Sequence, residues 1–291
     1  MMKKFLLTLF FIFLIQNPVF AIKIGLQTGV ISTKVGASTE AQILDARNNK
    51  VLYTMDKMRS YEFKAYKNLI ALKYNNDYYN LKTNQIAIIP KSSTGFVNAK
   101  NRWYRGELRI INLNGKLNVI NKLNIEDYVR GVVPCEMPSS WNYEAHKAQA
   151  IAARSYALAN LGKRGSQGYD LKDTPEDQAY GGATSEKINT NRAVKDSEGI
   201  VIIYDLKIIP AYYSASAGGH TKNASEVWTR DLPYIKSVPS YDSGIKKNGH
   251  GIGMSQHGAN NLANNGYNAY QILRYFYKNI KFARIKQEYY K

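Results

Sequence analysis

Residues 106–125, GELRIINLNGKLNVINKLNI, alternate apolar and polar side chains on both sides of Asn114-Gly115. Both turn positions tolerate positive φ, so the run reads as a hairpin of two half-buried strands. The following EDYVRGVV reads as a turn and a short apolar stretch. After Pro138 the period changes. In SSWNYEAHKAQAIAARSYALANLGKRG, Ala148, Ala152, Ser155 and Ala159 recur at helical spacing, with Ser139 or Ser140 as cap and Gly162 as stop. Strand clusters interrupted by one long central helix predict a strand-rich α+β fold and not a doubly wound sheet.

The rest of the chain fits that class. IKIGL and QIAIIP read as strands around the polar, turn-rich KYNNDYYNLKTNQ, and PKSSTG (90–95) is a plausible boundary. The expected organisation is a leader over 1–21, a strand-rich accessory region over 22–95 and a main domain over 96–291. Within the latter, EGIVIIYDLKIIPAYYSASAGG predicts two strands turning at Asp205-Leu206. GHGIGMSQHGANNLANNG predicts a glycine-rich loop entering a short helix that Gly266 ends, and AYQILRYFYKN a last amphipathic helix.

The first residues, MMKKFLLTLFFIFLIQNPVFA, have a basic start, a short apolar run and small or aliphatic residues before Ala21. That is the layout of a cleaved secretory signal, too short for a comfortable membrane span, with an uncleaved anchor as its rival. An exported chain of roughly 270 residues follows, long enough for a real core. Membrane contact is then at most peripheral. The net charge of +18 draws such a protein to polyanions of the cell envelope, although abundant Lys, Asn, Tyr and Ile point also to compositional bias. Nucleic acid is not an expected partner. One cysteine, Cys135, forms no intramolecular disulfide, so the fold rests on its core.

GVVPCEMPSSW (131–141) sets one carboxylate, Glu136, between two prolines among Val132, Val133, Met137 and Trp141. A helix-start acid would be explained by the dipole alone. Apolar neighbours instead raise a carboxyl's pKa, as a general acid working near neutral pH needs. Cys135 with one of four histidines is a rival nucleophile pair, and a rival zinc site, but no motif of either chemistry is present. The glycine-rich segments AYYSASAGGHTKNASEVW and GHGIGMSQHGA let a backbone approach a ligand closely, or merely turn tightly. Neither is a phosphate loop, and Ser216 lacks a hydrolase elbow.

In order, GVVPCEMPSSW, AHKAQAIAARSYAL, DTPEDQAYGG, IIPAYYSASAGGHTKNASEVW, LPYIKSVPS and GHGIGMSQHGANNLA resemble the stage II sporulation protein D family, which includes LytB-type amidase enhancers. The resemblance covers about residues 105–260. It implies two lobes around a glycan-binding groove and a lytic transglycosylase acting on peptidoglycan strands, preferentially those stripped of stem peptides. The family's catalytic Glu falls on Glu136. Arg154 is then expected to hold Glu136 or a lactyl carboxylate, with Gln178 and Tyr180 meeting a sugar. Ser216, Gly218, Gly219 and His220 are expected on one wall of the groove, and His250, Gly251, Ser255 and Gln256 on the other. No metal or cofactor is implied. A partner amidase is the alternative role, for a non-catalytic wall binder, and a hydrolase using Asp127, Asp173 or Asp177 as second carboxylate is a third reading. Cys135 departs from the Ser or Ala that the family often has there.

Overall fold

The computed structural model describes residues 21–229 and 231–285, so the predicted leader lies outside the described residues. The chain opens with twelve strands: β1 (Ala21–Val30), β2 (Ser32–Ala37), β3 (Ala41–Asp45), β4 (Val51–Met55), β5 (Ser60–Tyr66), β6 (Leu69–Tyr74), β7 (Asp77–Asn80), β8 (Gln85–Pro90), β9 (Val97–Ala99), β10 (Arg102–Tyr104), β11 (Glu107–Leu113) and β12 (Lys116–Asn124). Then come α1 (Ile125–Glu136), α2 (Tyr143–Ala159), β13 (Leu171–Lys172), α3 (Ile188–Asp196), β14 (Ile200–Tyr204), β15 (Lys207–Ile208) and β16 (Tyr213–Ser214). Last are β17 (Met254–Ser255), α4 (Gln256–Asn264), α5 (Ala269–Phe276) and β18 (Lys281–Arg284). The class is α+β, as the mixture of periods predicts.

One sheet runs β13-β1-β12-β11-β8-β3-β4 and a second β10-β9-β2-β5-β6-β7, so strands from either side of residue 95 lie in both sheets. Their apolar faces merge in one core with α1, through residues such as Ile24, Val35, Phe63, Ile86, Val119 and Val129. The hairpin forms as expected, Leu113 pairing Lys116 across Asn114 (φ 52°) and Gly115 (φ 81°). A second hairpin turns at Asp205 and Leu206, both at positive φ.

Helix α2 serves two cores at once. Ala150, Ala153, Tyr156 and Ala157 face the sheets, while Ala145, Ala148, Ile151 and Ala152 face β14, α4 and α5. Small side chains on both sides let neighbours approach closely. Its cap is Asn142, whose side chain accepts the Glu144 N–H at 3.0 Å; neither Ser139 nor Ser140 fills that place. The helix ends at Ala159, and Gly162 (φ 77°) sits in the turn beyond it.

The stretch before Pro138 differs from expectation: residues 125–136 are helix, where a turn was predicted. Asn124 caps it by accepting the Asp127 N–H at 2.8 Å. Pro134 looks like a breaker in sequence but falls in the last turn, where only one intrahelical bond is forfeited. Pro138 does the stopping. It holds Met137 extended (φ −133°, ψ 137°), the conformation that a following proline favours, and so makes Glu136 the final helical residue.

A candidate active site at the end of the first helix

Glu136 therefore stands at a helix C-terminus, not just ahead of an N-terminus. The partial charge there is negative and opposes ionisation. Half-buried, the carboxylate accepts the Ala179 N–H at 2.8 Å on Oε1 and the Gln256 amide at 3.0 Å on Oε2. The Tyr213 hydroxyl also hydrogen-bonds it. Burial pushes its pKa above the ordinary carboxylate value, and these three donors offset only part of that effect.

Tyr213 is itself held in place. Its oxygen accepts from Gln178 Nε2 at 2.8 Å, so its proton is free to point at Glu136. Burial, with the Glu136 charge second, keeps the phenol far above its usual pKa and hence a donor. Gln178 is buried and fixed at both ends, donating also to the Ala153 carbonyl at 3.2 Å and accepting from Tyr128 Oη at 3.1 Å. It backs the site from behind Tyr213 and is not among the residues that line the cleft.

Glu136 opens into a cleft of 540 Å³. Tyr212 and Trp228 pack at 4.5 Å between ring centroids on one side, with His250 against Trp228 at 5.5 Å. His250 accepts the Ile252 N–H at 3.1 Å through Nδ1, and burial, then the Lys247 charge, keep its pKa below the usual value, favouring the neutral ring. The other side carries Tyr156, Lys163 and Asp177. Desolvation of Asp177 is outweighed by Lys163 (2.6 Å), the Lys172 N–H (2.8 Å) and Arg164 (3.1 Å), which hold its pKa below the ordinary value. Its oxygens are saturated with donors, so it is poorly suited to act as a base. Asp127 pairs with Arg130 and Asp173 with Lys100, and neither lines the cleft.

Of the expected site residues, Glu136, His250 and Gln256 meet in this cleft. Arg154 does not: it is fully buried, with Nε at 2.7 Å and Nη2 at 2.5 Å from the Glu126 carboxylate. Tyr180 is buried too, its hydroxyl donating to Asn121 at 2.7 Å. Ser216 donates to the Lys246 carbonyl at 2.6 Å, and the Gly251 carbonyl accepts from Lys222. His220 is exposed and pairs with Pro239.

Gly218, Gly219 and Ser255 belong to a different arrangement, centred on Asp242. This buried carboxylate accepts the Ala217 N–H (2.6 Å), the Gly219 N–H (2.7 Å), the Ser255 hydroxyl (2.6 Å) and the Ser240 hydroxyl. Gly218 (φ 75°) and Gly219 (φ 106°) turn the backbone to present those groups. Ser255 also caps α4, accepting the Gly258 N–H at 3.1 Å, and thereby sets the start of the helix whose first residue is Gln256. The cradle fixes the loop; the cleft itself is lined by Tyr212, Tyr213, Trp228 and Asn248. The aromatic pair in AYYSASAGG and the Trp closing ASEVW were the available signals for those residues. Cys135 is exposed and lines no part of the cleft.

Residues 113–204 match the family profile of the stage II sporulation protein (SpoIID). An amidase enhancer of Bacillus subtilis is 43% identical over 107 residues, 37% of this chain and 14% of that protein. A stage II sporulation protein D of Bacillus amyloliquefaciens is 36% identical over 137 residues, 42% of this chain and 40% of that one. An uncharacterized protein of Brachyspira hyodysenteriae is 40% identical over 136 residues, 46% of this chain and 37% of its own. The chain thus spans less than half the length of each of these relatives.

Proposed function

Because the chain belongs with the stage II sporulation protein D family through its SpoIID-like segment, we propose that it is an exported lytic transglycosylase. It cleaves the MurNAc–GlcNAc bonds of peptidoglycan glycan strands. The observation that carries this reading is Glu136, half-buried with a raised pKa in a cleft walled by Tyr212 and Trp228, where the other lining carboxylates, Asp177 and Glu176, are both paired with cations. Aromatic faces suit sugar rings, and the neighbouring Asp177 is neutralised by its cations.

Ordinary glycoside hydrolysis needs two carboxyl groups, whereas one suffices when the substrate brings its own nucleophile. Protonated Glu136 gives its proton to the glycosidic oxygen as the bond from muramic C1 breaks. The muramic C6 oxygen then bonds to C1 and passes its proton to the Glu136 carboxylate, which is restored to the acid. No water is consumed, and the new end is a 1,6-anhydromuramoyl group. Intramolecular attack lowers the barrier by several kcal/mol, on the order of what a second positioned group supplies. Tyr213 and Gln256 stabilise the carboxylate that exists between the two transfers.

The test is mass spectrometry of amidase-stripped glycan strands incubated with the protein or with Glu136→Gln. Anhydro ends from the wild type alone are expected. Reducing ends would replace this chemistry with hydrolysis. Binding without cleavage by either protein would favour the second reading, a wall-binding stimulator of an N-acetylmuramoyl-L-alanine amidase, which the likeness to an amidase enhancer supports.

A further inference from the structure

Arg154, locked to Glu126, leaves the acidic substituent of a muramic acid without its expected cation. The cleft supplies another. Lys163 is the only cationic side chain among the described residues that line it. Its Nζ lies 6.0 Å from the centre of the Tyr156 ring, and that ring packs edge-on against Tyr212 at 5.6 Å between centroids. The ammonium and the aromatic wall therefore border one continuous surface.

The ion pair with Asp177 does not use up the Lys163 charge. The Asp177 carboxylate has no exposed surface and already accepts from Arg164 Nε at 3.1 Å and from the Lys172 N–H at 2.8 Å. One of the three ammonium protons of Lys163 makes the remaining contact, at 2.6 Å, and two are left. Glu176, the other acid on this wall, lies 2.6 Å from Lys172 Nζ and 3.6 Å from Arg164 Nη2. Three cations thus serve two carboxylates, with one positive charge in excess. Of the three, Lys163 alone lines the cleft, and its side chain is 39% exposed. Lys247, whose charge reaches His250, lines no part of it. An ammonium with protons to spare, beside rings that suit a sugar face, fits a sugar that carries an anion.

We infer that Lys163 is a specificity-determining residue, which binds the free lactyl carboxylate of a muramic acid seated against Tyr212 and Trp228. The inference rests on the glycan reading of the cleft. In a strand that keeps its stem peptides the lactyl carboxyl is an amide without charge, and Lys163 has nothing to pair with there. A preference for stripped strands then comes from one ammonium in the wall across from the aromatic pair, and not from Arg154. Asp177 keeps Arg164 and the Lys172 N–H throughout, so the wall holds its shape when the Lys163 charge turns to a ligand.

The experiment compares the full chain with its Lys163→Gln and Lys163→Arg variants on two substrates: stripped glycan strands, and the same strands with their lactyl carboxylates converted to methylamides. Anhydro ends counted by mass spectrometry give kcat/KM. Lys163→Gln should lower it about tenfold on the native stripped strands, mainly through KM, and Lys163→Arg should recover most of the loss. On the amidated strands the three proteins should be equal. A loss of the same size on both substrates overturns the inference, because a structural role of Lys163 moves both. So does the absence of a loss on the native strands. If the wild type produces no anhydro ends, the lytic reading fails, and sedimentation of the three proteins with each kind of strand decides instead. Binding weakened by Lys163→Gln on the native strands alone upholds the inference; any other pattern, including no binding at all, overturns it.

Discussion

Tyr213→Phe removes one of three donors that hold the Glu136 carboxylate and leaves the ring that packs the cleft. A hydrogen bond to a charged group is worth about 1.5–3 kcal/mol, and one pKa unit corresponds to about 1.36 kcal/mol. Ala179 and Gln256 keep their contacts at 2.8 and 3.0 Å, and water entering the vacated space recovers part of the loss. The net expectation is a rise of about one unit in a pKa that burial already raises. The sign follows from the donors favouring the charged form, so losing one favours the acid. Carbon-13 NMR of labelled glutamate, with Glu136→Gln to identify the signal, reads this without any assumption about substrate. If cleavage is observed, the alkaline limb of kcat/KM should move up by the same amount. A carboxyl that titrates at its wild-type pH, or lower, would refute the reasoning, because Tyr213 would then contribute nothing to its charge.

Two further substitutions test the groups assigned to the framework. Arg154→Met leaves Glu126 without its buried partner and should destabilise the fold by about 3–5 kcal/mol in chemical denaturation, whereas a ligand-reading arginine would lower affinity with little change in stability. Asp242→Asn replaces an acceptor with an amide whose N–H₂ faces donors, and should cost about 2–4 kcal/mol and lower the melting temperature. The Asp242 pKa is depressed in the fold, so its contribution to stability is complete above the unfolded value of about 3.9 and is lost as pH falls through the folded one. Wild type should therefore lose more stability than Asp242→Asn on acidification below about pH 4.

The alternating hairpin and the alanine-rich helix were legible because local period and burial agree there. Asn114-Gly115 needs no tertiary information to turn, and α2 buries almost every side chain that its sequence makes small. Helix α1 was not, because Pro134 and the β-branched Val132-Val133 pair argue locally against helix, while packing of Tyr128, Val129 and Val132 into the core decides for it. At the site, Glu136 stood out by its flanking prolines. Of its partners, Gln256 was expected only through the family resemblance and Tyr213 not at all. Tyr213 and Gln256 lie 77 and 120 positions further on, and only the β16–β17 pairing of Tyr213 with Met254 and Ser214 with Ser255 brings them together. Arg154 differs for a related reason: the resemblance implied a contact with Glu136 or a lactyl carboxylate, and only the fold shows that Glu126 fills its guanidinium.

That short β16–β17 pair ties two of the three donors to a common mount. Gly253, just before β17, has φ 69°, and a side chain there would begin 2.0 Å from the Tyr212 carbonyl oxygen. A shift of this pair relative to the helix that bears the acid would carry Tyr213 and Gln256 together. Separating the mount from the helix would withdraw Tyr213 and Gln256 together and admit water to the carboxyl in the same stroke. Loss of donors raises its pKa and hydration lowers it, so the two effects partly cancel. An opening of the cleft thus acts on the Glu136 charge in two opposed directions at once.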